Sequence, residues 1–137
     1  MKKFTVLLVL LCSAMLLSIS CKKKKADPHV PPDVVLKSGG AYTDADKTVN
    51  RKDTILVGIT ATKTEDNLKS YNVSYYYDGA TVSTTFYNYL LTADEANSYS
   101  KDIKIGTRDQ AGSEKWVFSI VDRDGNITQK TIVLTVK

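Results

Sequence analysis

His29 is the only histidine of this 137-residue chain, and Cys12 and Cys21 are its only cysteines. All three precede residue 33, so the remainder carries no imidazole base, thiol nucleophile or soft-metal ligand. Most hydrolytic mechanisms are excluded on that ground. Two carboxylates suffice to hydrolyse a glycoside, and Asp122 with Asp124 is the nearest pair. Nothing in the surrounding sequence builds the enclosed cleft that separates two carboxyl pKa values. No catalytic residue is therefore assigned, and the chain is expected not to be an enzyme. The same run, Asp122-Arg123-Asp124-Gly125-Asn126, has the alternating oxygens of a calcium loop. Arg123 and the lack of a following Glu argue against a cation there. The expected structure is a hairpin turn in which Gly125 and Asn126 accept positive φ. Asp122 and Asp124 remain weak metal candidates, and no cofactor is expected.

Binding chemistry is better represented. Six of the eight tyrosines, Tyr71, Tyr75, Tyr76, Tyr77, Tyr87 and Tyr89, fall within one short stretch. Strand alternation puts Tyr75 and Tyr77 on a face with Val73, and Tyr76 on the other face with Asn72 and Ser74. In the next strand Tyr87 and Tyr89 oppose Phe86 and Asn88. Aromatic rings mixed with amide and hydroxyl donors are what a sugar or peptide stacks on, and Tyr76, Tyr87 and Tyr89 are the candidate ligand-binding residues. The alternative is that these rings form cross-strand pairs along the rim of a sheet.

The elements that position these side chains have a period of two. Ile55, Val57, Ile59 and Ala61 lie on one face of residues 54–63, with Leu56, Gly58, Thr60 and Thr62 on the other. The same alternation, rich in β-branched and aromatic types, predicts strands at 33–37, 70–77, 81–89, 99–107, 115–122 and 126–137. Turn residues separate them at Ser38-Gly39-Gly40, Glu65-Asp66-Asn67, Asp78-Gly79, Gln110-Ala111-Gly112 and Asp124-Gly125-Asn126. Only 92–98 reads as helical, with Thr92 and Glu95 spaced as a capping box. About seven strands without a helix-length amphipathic run predict an all-β antiparallel sandwich. The entry Asp53-Thr54-Ile55-Leu56-Val57, the hairpin from Trp116 to Asn126 and the closing Thr131-Ile132-Val133-Leu134-Thr135-Val136 resemble immunoglobulin-like modules of the PKD, cadherin or fibronectin III sort. The resemblance covers nearly all of residues 33–137 and implies fold more than function. Trp116, Phe118 and Ile120 are expected at the centre, against Ile55, Val57, Ile59, Val73, Ile103 and Leu134.

Residues 1–20 read as an export signal. Lys2 and Lys3 precede a nearly unbroken apolar run from Phe4 to Leu17, followed by small residues before Cys21. That run is shorter than the roughly 20 residues a membrane-spanning helix needs. Leu17-Ser18-Ile19-Ser20-Cys21 resembles the lipobox of bacterial lipoproteins, with its Leu one position further from the Cys than usual, and the resemblance implies lipidation of Cys21. Residues 21–32 then form a tether with four consecutive lysines and all three prolines, extended at about 3.1 Å per residue. Six of the nineteen basic residues are Lys2, Lys3 and Lys22 through Lys25. From Asp33 onward, 13 Lys and Arg stand against 14 Asp and Glu, a net charge of −1, which argues against a nucleic-acid face.

The resemblance thus implies a lipoprotein of the Gram-negative cell envelope, held on the bilayer by its acylated N-terminal Cys. Its expected role is that of a non-catalytic binding module for a glycan or envelope protein. The alternatives are a structural accessory acting by edge-strand pairing and a small hydrolase. Lysines after Cys21, where surface-exported lipoproteins of nutrient-uptake systems carry acidic residues, favour the outer membrane with the domain facing the periplasm over the cell surface. Mass spectrometry of the membrane fraction is expected to show a mature chain beginning at an acylated Cys21; an unmodified Cys21 or a retained Met1 would refute it.

Overall fold

Alternation decides which segments become strands and which way each side chain points. The computed structural model describes residues 28–137. Its strands are β1 (Asp33–Leu36), β2 (Lys47–Val49), β3 (Thr54–Thr62), β4 (Leu68–Tyr77), β5 (Thr84–Leu90), β6 (Ser98–Gly106), β7 (Gly112–Asp122) and β8 (Ile127–Val136). In β3 the predicted inner residues Ile55, Val57, Ile59 and Ala61 are all buried, and Thr60 and Thr62 are exposed.

Two sheets result, one in the order β1-β3-β6 and one in the order β2-β8-β7-β4-β5. Strands A, B and E facing a sheet that contains G, F, C and C′ side by side is the immunoglobulin-like order. Here β1, β3 and β6 take the first three places, and β8, β7, β4 and β5 the others. The fold is therefore an all-β immunoglobulin-like sandwich: the periodicity predicts the sandwich, and the resemblance implies its immunoglobulin-like form.

Three details depart from the sequence reading. The strand β2 is additional, and it pairs in parallel with β8, through Lys47 with Leu134 and Val49 with Val136. Three residues are too few to show a period, and the strand exists only because the chain crosses from one sheet to the other after β1. Residues 93–97 form turns and bends instead of a helix, and Ser98 already begins β6. The Thr92 N–H and hydroxyl do reach the Glu95 carboxylate, at 2.9 and 3.0 Å. The carbonyls of Ala96 and Asn97, however, accept from Leu68 and Lys63 N–H groups, and so short a helical nucleus has little to oppose that. The tether, finally, docks before residue 33: Pro32 is buried, and the Thr64 hydroxyl donates to the Pro31 carbonyl at 2.7 Å.

The core lies between the sheets as expected. Trp116, Phe118 and Ile120 are at most 2% exposed and share one cluster with Ile55, Val57, Ile59, Val73, Ile103 and Leu134. The one hydrogen-bonding group of the Trp116 side chain is satisfied, since its Nε1–H donates to Glu114 Oε2 at 3.1 Å. Replacing Trp116 by Ala is expected to cost about 3–5 kcal/mol, as for other large aromatic truncations in cores, in urea unfolding followed by circular dichroism. Native Trp116 emission matching that of the unfolded chain would contradict this placement.

Candidate functional site

The two sheets differ in width, and the tyrosines resolve the mismatch. Tyr87 and Tyr89 pair across β4 with Val73 and Tyr71, and paired residues share a face. That face is the inner one. Tyr71 and Tyr99 have ring centroids 5.7 Å apart, Tyr71 and Tyr87 5.9 Å, and Tyr89 stacks on Tyr99 at 5.9 Å. Tyr99 comes from β6 in the other sheet, so these rings close the flank where β5 overhangs it. Burial holds the phenols of Tyr71 and Tyr99 well above the ordinary range, with neighbouring phenols adding to the effect. The Tyr89 hydroxyl donates to Glu95 Oε2 at 3.2 Å, and that bond raises its pKa. The grouping of Tyr76 with Tyr87 and Tyr89 is therefore corrected: the pair packs inward as cross-strand aromatics, while Tyr76 lies on the opposite face.

A bulge contributes to this arrangement. Consecutive β4 residues Val73 and Ser74 pair with Tyr87 and Thr85, leaving Phe86 as an extra residue in β5. Phe86 meets Trp116 edge-on at 5.2 Å, so Phe86 and Tyr87 both turn inward instead of opposing one another.

Tyr76 stands in an outer face built of three rows across the sheet. Its own row is Tyr76, Lys115 and Val133; the next is Ser74, Val117 and Thr131; the third is Asn88, Asn72, Ser119 and Gln129. Lys115 is the one charged residue of these rows, and none is acidic. Gln129 donates to the Ser119 hydroxyl at 2.9 Å, and Lys115 Nζ lies 5.5 Å from the Tyr76 ring centroid. At the end of the first row is a depression of about 370 Å³ lined by Tyr76, Gly79, Ala80, Ser113, Lys115 and Val133. The sequence signalled Tyr76, Asn72 and Ser74 through alternation in one strand. Lys115 and Val133 were not visible, because the β4-β7-β8 register that puts them beside Tyr76 is a tertiary property.

The wall of the depression is a tight turn. Asp78 and Gly79 both have positive φ, 51° and 76°, and the Ala80 N–H donates to the Tyr77 carbonyl at 2.9 Å, the geometry of a type I′ turn. Beneath it the Arg108 guanidinium grips the Asp78 carboxylate through two bonds of 2.5 and 2.6 Å and lies 4.7 Å from the Tyr77 ring centroid. A Cβ at Gly112 would collide with both Arg108 and Asp78, so glycine is required where this pair crosses β7. The buried Glu114 completes the set: Oε1 accepts the Arg108 backbone N–H at 2.9 Å and Oε2 the Trp116 indole N–H.

Asp122 and Asp124 do not converge on a common point. Asp122 is 1% exposed, and its two oxygens accept the Asn126 backbone N–H at 2.8 Å and side-chain amide at 2.9 Å. Asp124 accepts from Arg123 Nε at 3.1 Å. Asp122 thus holds the β7–β8 turn, in which Gly125 has φ of 93° but Asn126 does not take positive φ. Among the described residues no group of three His, Cys, Asp or Glu is placed to hold a metal. Cys21 lies outside the described residues.

No protein-family model matches the chain, and no curated protein matches it. Solved structures similar to it include the CARDB domain of a Pyrococcus furiosus protein in complex with di-metal ions, at 14% identity over 83% of this chain and 100% of that one, with a TM-score of 0.49. Murine CRIg matches at 14% identity over 77% of this chain and 98% of its own, with a TM-score of 0.39. The human seminal-plasma complex of Zinc 2-glycoprotein and Prolactin inducible protein matches at 12% identity, over 75% and 94%, with a TM-score of 0.42.

The Arg108 pair gives the site wall a pH dependence. Hydrogen bonds from Arg108, then from the Ser113 N–H, lower the Asp78 carboxyl from 3.8 to about 2. A carboxyl titrating lower when folded stabilises the fold above its unfolded pKa, and the contribution disappears as pH falls from about 4 toward about 2. Calorimetry is expected to show Asp78→Asn melting below the wild type at neutral pH, with the difference vanishing across that acid window. A difference that persists at the acid end would assign the role of Asp78 to turn geometry instead of charge.

Proposed function

We propose that this chain is a lipid-anchored, non-catalytic module of the bacterial envelope that binds a glycan on the outer face of its five-stranded sheet, with Tyr76 at the centre. The observation that carries this reading is the Tyr76 depression, set in a face of amides and hydroxyls without a carboxylate. Rows of Asn, Gln, Ser and Thr offer the paired donors and acceptors that sugar hydroxyls need, and the half-buried Tyr76 ring offers an apolar surface to the C–H side of a pyranose. The volume sits at the lower end of the roughly 300–1,000 Å³ of small-ligand sites, enough for one or two sugar rings. Anchoring through Cys21 and a periplasmic orientation rest on the N-terminal sequence, whose lysines can also contact anionic headgroups.

A second reading has its own observation. From Gly79 to Ala93 no residue is charged, and this stretch contains edge strand β5, where Phe86 is 45% and Leu90 70% exposed. Edge strands are usually blunted by charge or shortness; β6 carries Lys101, Asp102 and Lys104, whereas β1 and β2 have only four and three residues. An uncharged edge suits strand addition by a protein partner.

Tyr76→Ala is expected to weaken retention in polysaccharide affinity electrophoresis by about 3- to 10-fold, the equivalent of roughly 0.5–1.5 kcal/mol for an aromatic contact, without lowering the melting temperature. Absence of retention on every polysaccharide, together with protein association that Asn88→Lys abolishes, would overturn the glycan reading in favour of β5.

A further inference from the structure

We infer that the ligand of the Tyr76 face is an anionic glycan, its acidic group held by Lys115. The inference rests on the glycan reading and specifies the ligand's charge.

Several cations of the fold are already paired with carboxylates. Lys37 is paired with Asp102 at 2.7 Å, Lys52 with Asp109 at 2.7 Å, Arg108 with Asp78, and Arg123 with Asp66. Lys115, like Lys101, stands over a tyrosine ring instead, with Nζ 5.5 Å from the Tyr76 centroid, and it is the one cation in the rows beside the depression. The carboxylates that bond to, or adjoin in sequence, the residues lining the depression are already engaged or buried. Asp78 is held by Arg108 and by the Ser113 N–H, at 2.9 Å. Asp46, at the sheet edge, accepts the Val133 N–H at 2.8 Å. Glu114 belongs to the inner face and is fully buried.

An ammonium on such a face sorts ligands by charge. A neutral sugar laid over the depression takes water from Lys115 and returns only hydroxyl contacts, and desolvating a charge without an opposite partner is costly. A carboxylate or sulfate on the sugar replaces that water with a charge-assisted bond. The Tyr76 hydroxyl and the Ser113 side chain, in the same lining, are placed to bond the neighbouring ring hydroxyls. General attraction cannot produce this preference, because residues from Asp33 onward carry 13 basic against 14 acidic side chains. Selectivity for an anion must then be local, and Lys115 supplies it.

The test uses the full-length lipoprotein in detergent, with polygalacturonate, dextran sulfate and unmodified dextran as probes in affinity electrophoresis. At least tenfold stronger retention by an acidic probe than by dextran is expected, falling as salt is raised. Lys115→Gln should reduce acidic retention to the dextran level with an unchanged melting temperature, and Lys115→Arg should restore it. Preference for polygalacturonate over dextran sulfate identifies a uronate, and the reverse a sulfated sugar; either supports the inference. Acidic retention that survives Lys115→Gln belongs to the lysines at 22–25 and overturns it. Equal retention of dextran and the acidic probes overturns it while leaving the glycan reading standing, and no retention on any probe defeats both.

Discussion

Both ends of β7 are closed by a buried carboxylate, and the rest of the molecule is arranged around satisfying the two. Glu114, Trp116, Phe118, Ile120 and Asp122 form one continuous inward row, none more than 2% exposed. A carboxylate removed from water is tolerated only where donors replace the water. At one end the donors are the backbone and amide of Asn126, so the β7–β8 turn must fold back over Asp122. At the other they are the Trp116 indole and the Arg108 backbone, so the loop before β7 must pass directly beside Glu114. That second requirement delivers Arg108 to Asp78, and Asp78 to the turn that walls the Tyr76 depression. The depression beside Tyr76 is thus a consequence of how a buried carboxyl group is hydrogen-bonded.

The absence of a disulfide leaves closure of the sandwich to packing. A five-stranded sheet over a three-stranded one leaves β5 partly uncovered, and small side chains there would open a gap. Tyr71, Tyr87, Tyr89 and Tyr99 fill it with rings that are apolar toward the core and carry a hydroxyl at the rim. Lys101 Nζ, 5.6 Å from the Tyr87 centroid, caps the cluster from the solvent side. On the far face of the three-stranded sheet, Gly58 makes room for Lys37, Tyr42 and Asp102 to meet over the backbone, since a Cβ there would lie within 2.6–2.8 Å of all three. Aromatic residues that look like a ligand platform in one dimension are therefore mostly structural, and Tyr76 is set apart by its parity alone.

Carboxylates are absent from the three outer rows around Tyr76. Asp78 and Asp122 are committed to turns, and Asp66, Asp102 and Asp109 are paired with arginine or lysine. Surface pairs of this kind contribute little to stability, about 0–1 kcal/mol each, but they leave the outer rows of the five-stranded sheet without negative charge. On that background Lys115 is the one charged side chain of the three rows.

How much of this was legible in one dimension follows from the range of each interaction. Alternation is local, so the strands, the inner face of β3 and the core position of Trp116 were readable, as was Tyr76 lying with Asn72 and Ser74. The type I′ turn at Asp78-Gly79 was likewise announced by its residues. Pairing between distant strands is not local. The parallel contact of β2, the inward rotation of Tyr87 and Tyr89 behind the Phe86 bulge, and the placing of Lys115 beside Tyr76 all depend on register, which single-strand patterns do not contain. Residues 92–98 show the same limit from the other side, for their local helical signal was outcompeted by hydrogen bonds to Lys63 and Leu68. The sequence by itself determined the class of fold, the poverty of catalytic groups and the lipobox-like segment ending at Cys21. Tertiary structure alone decided which tyrosine remains available and which cation stands next to it, because both depend on how strands far apart in the chain are brought side by side.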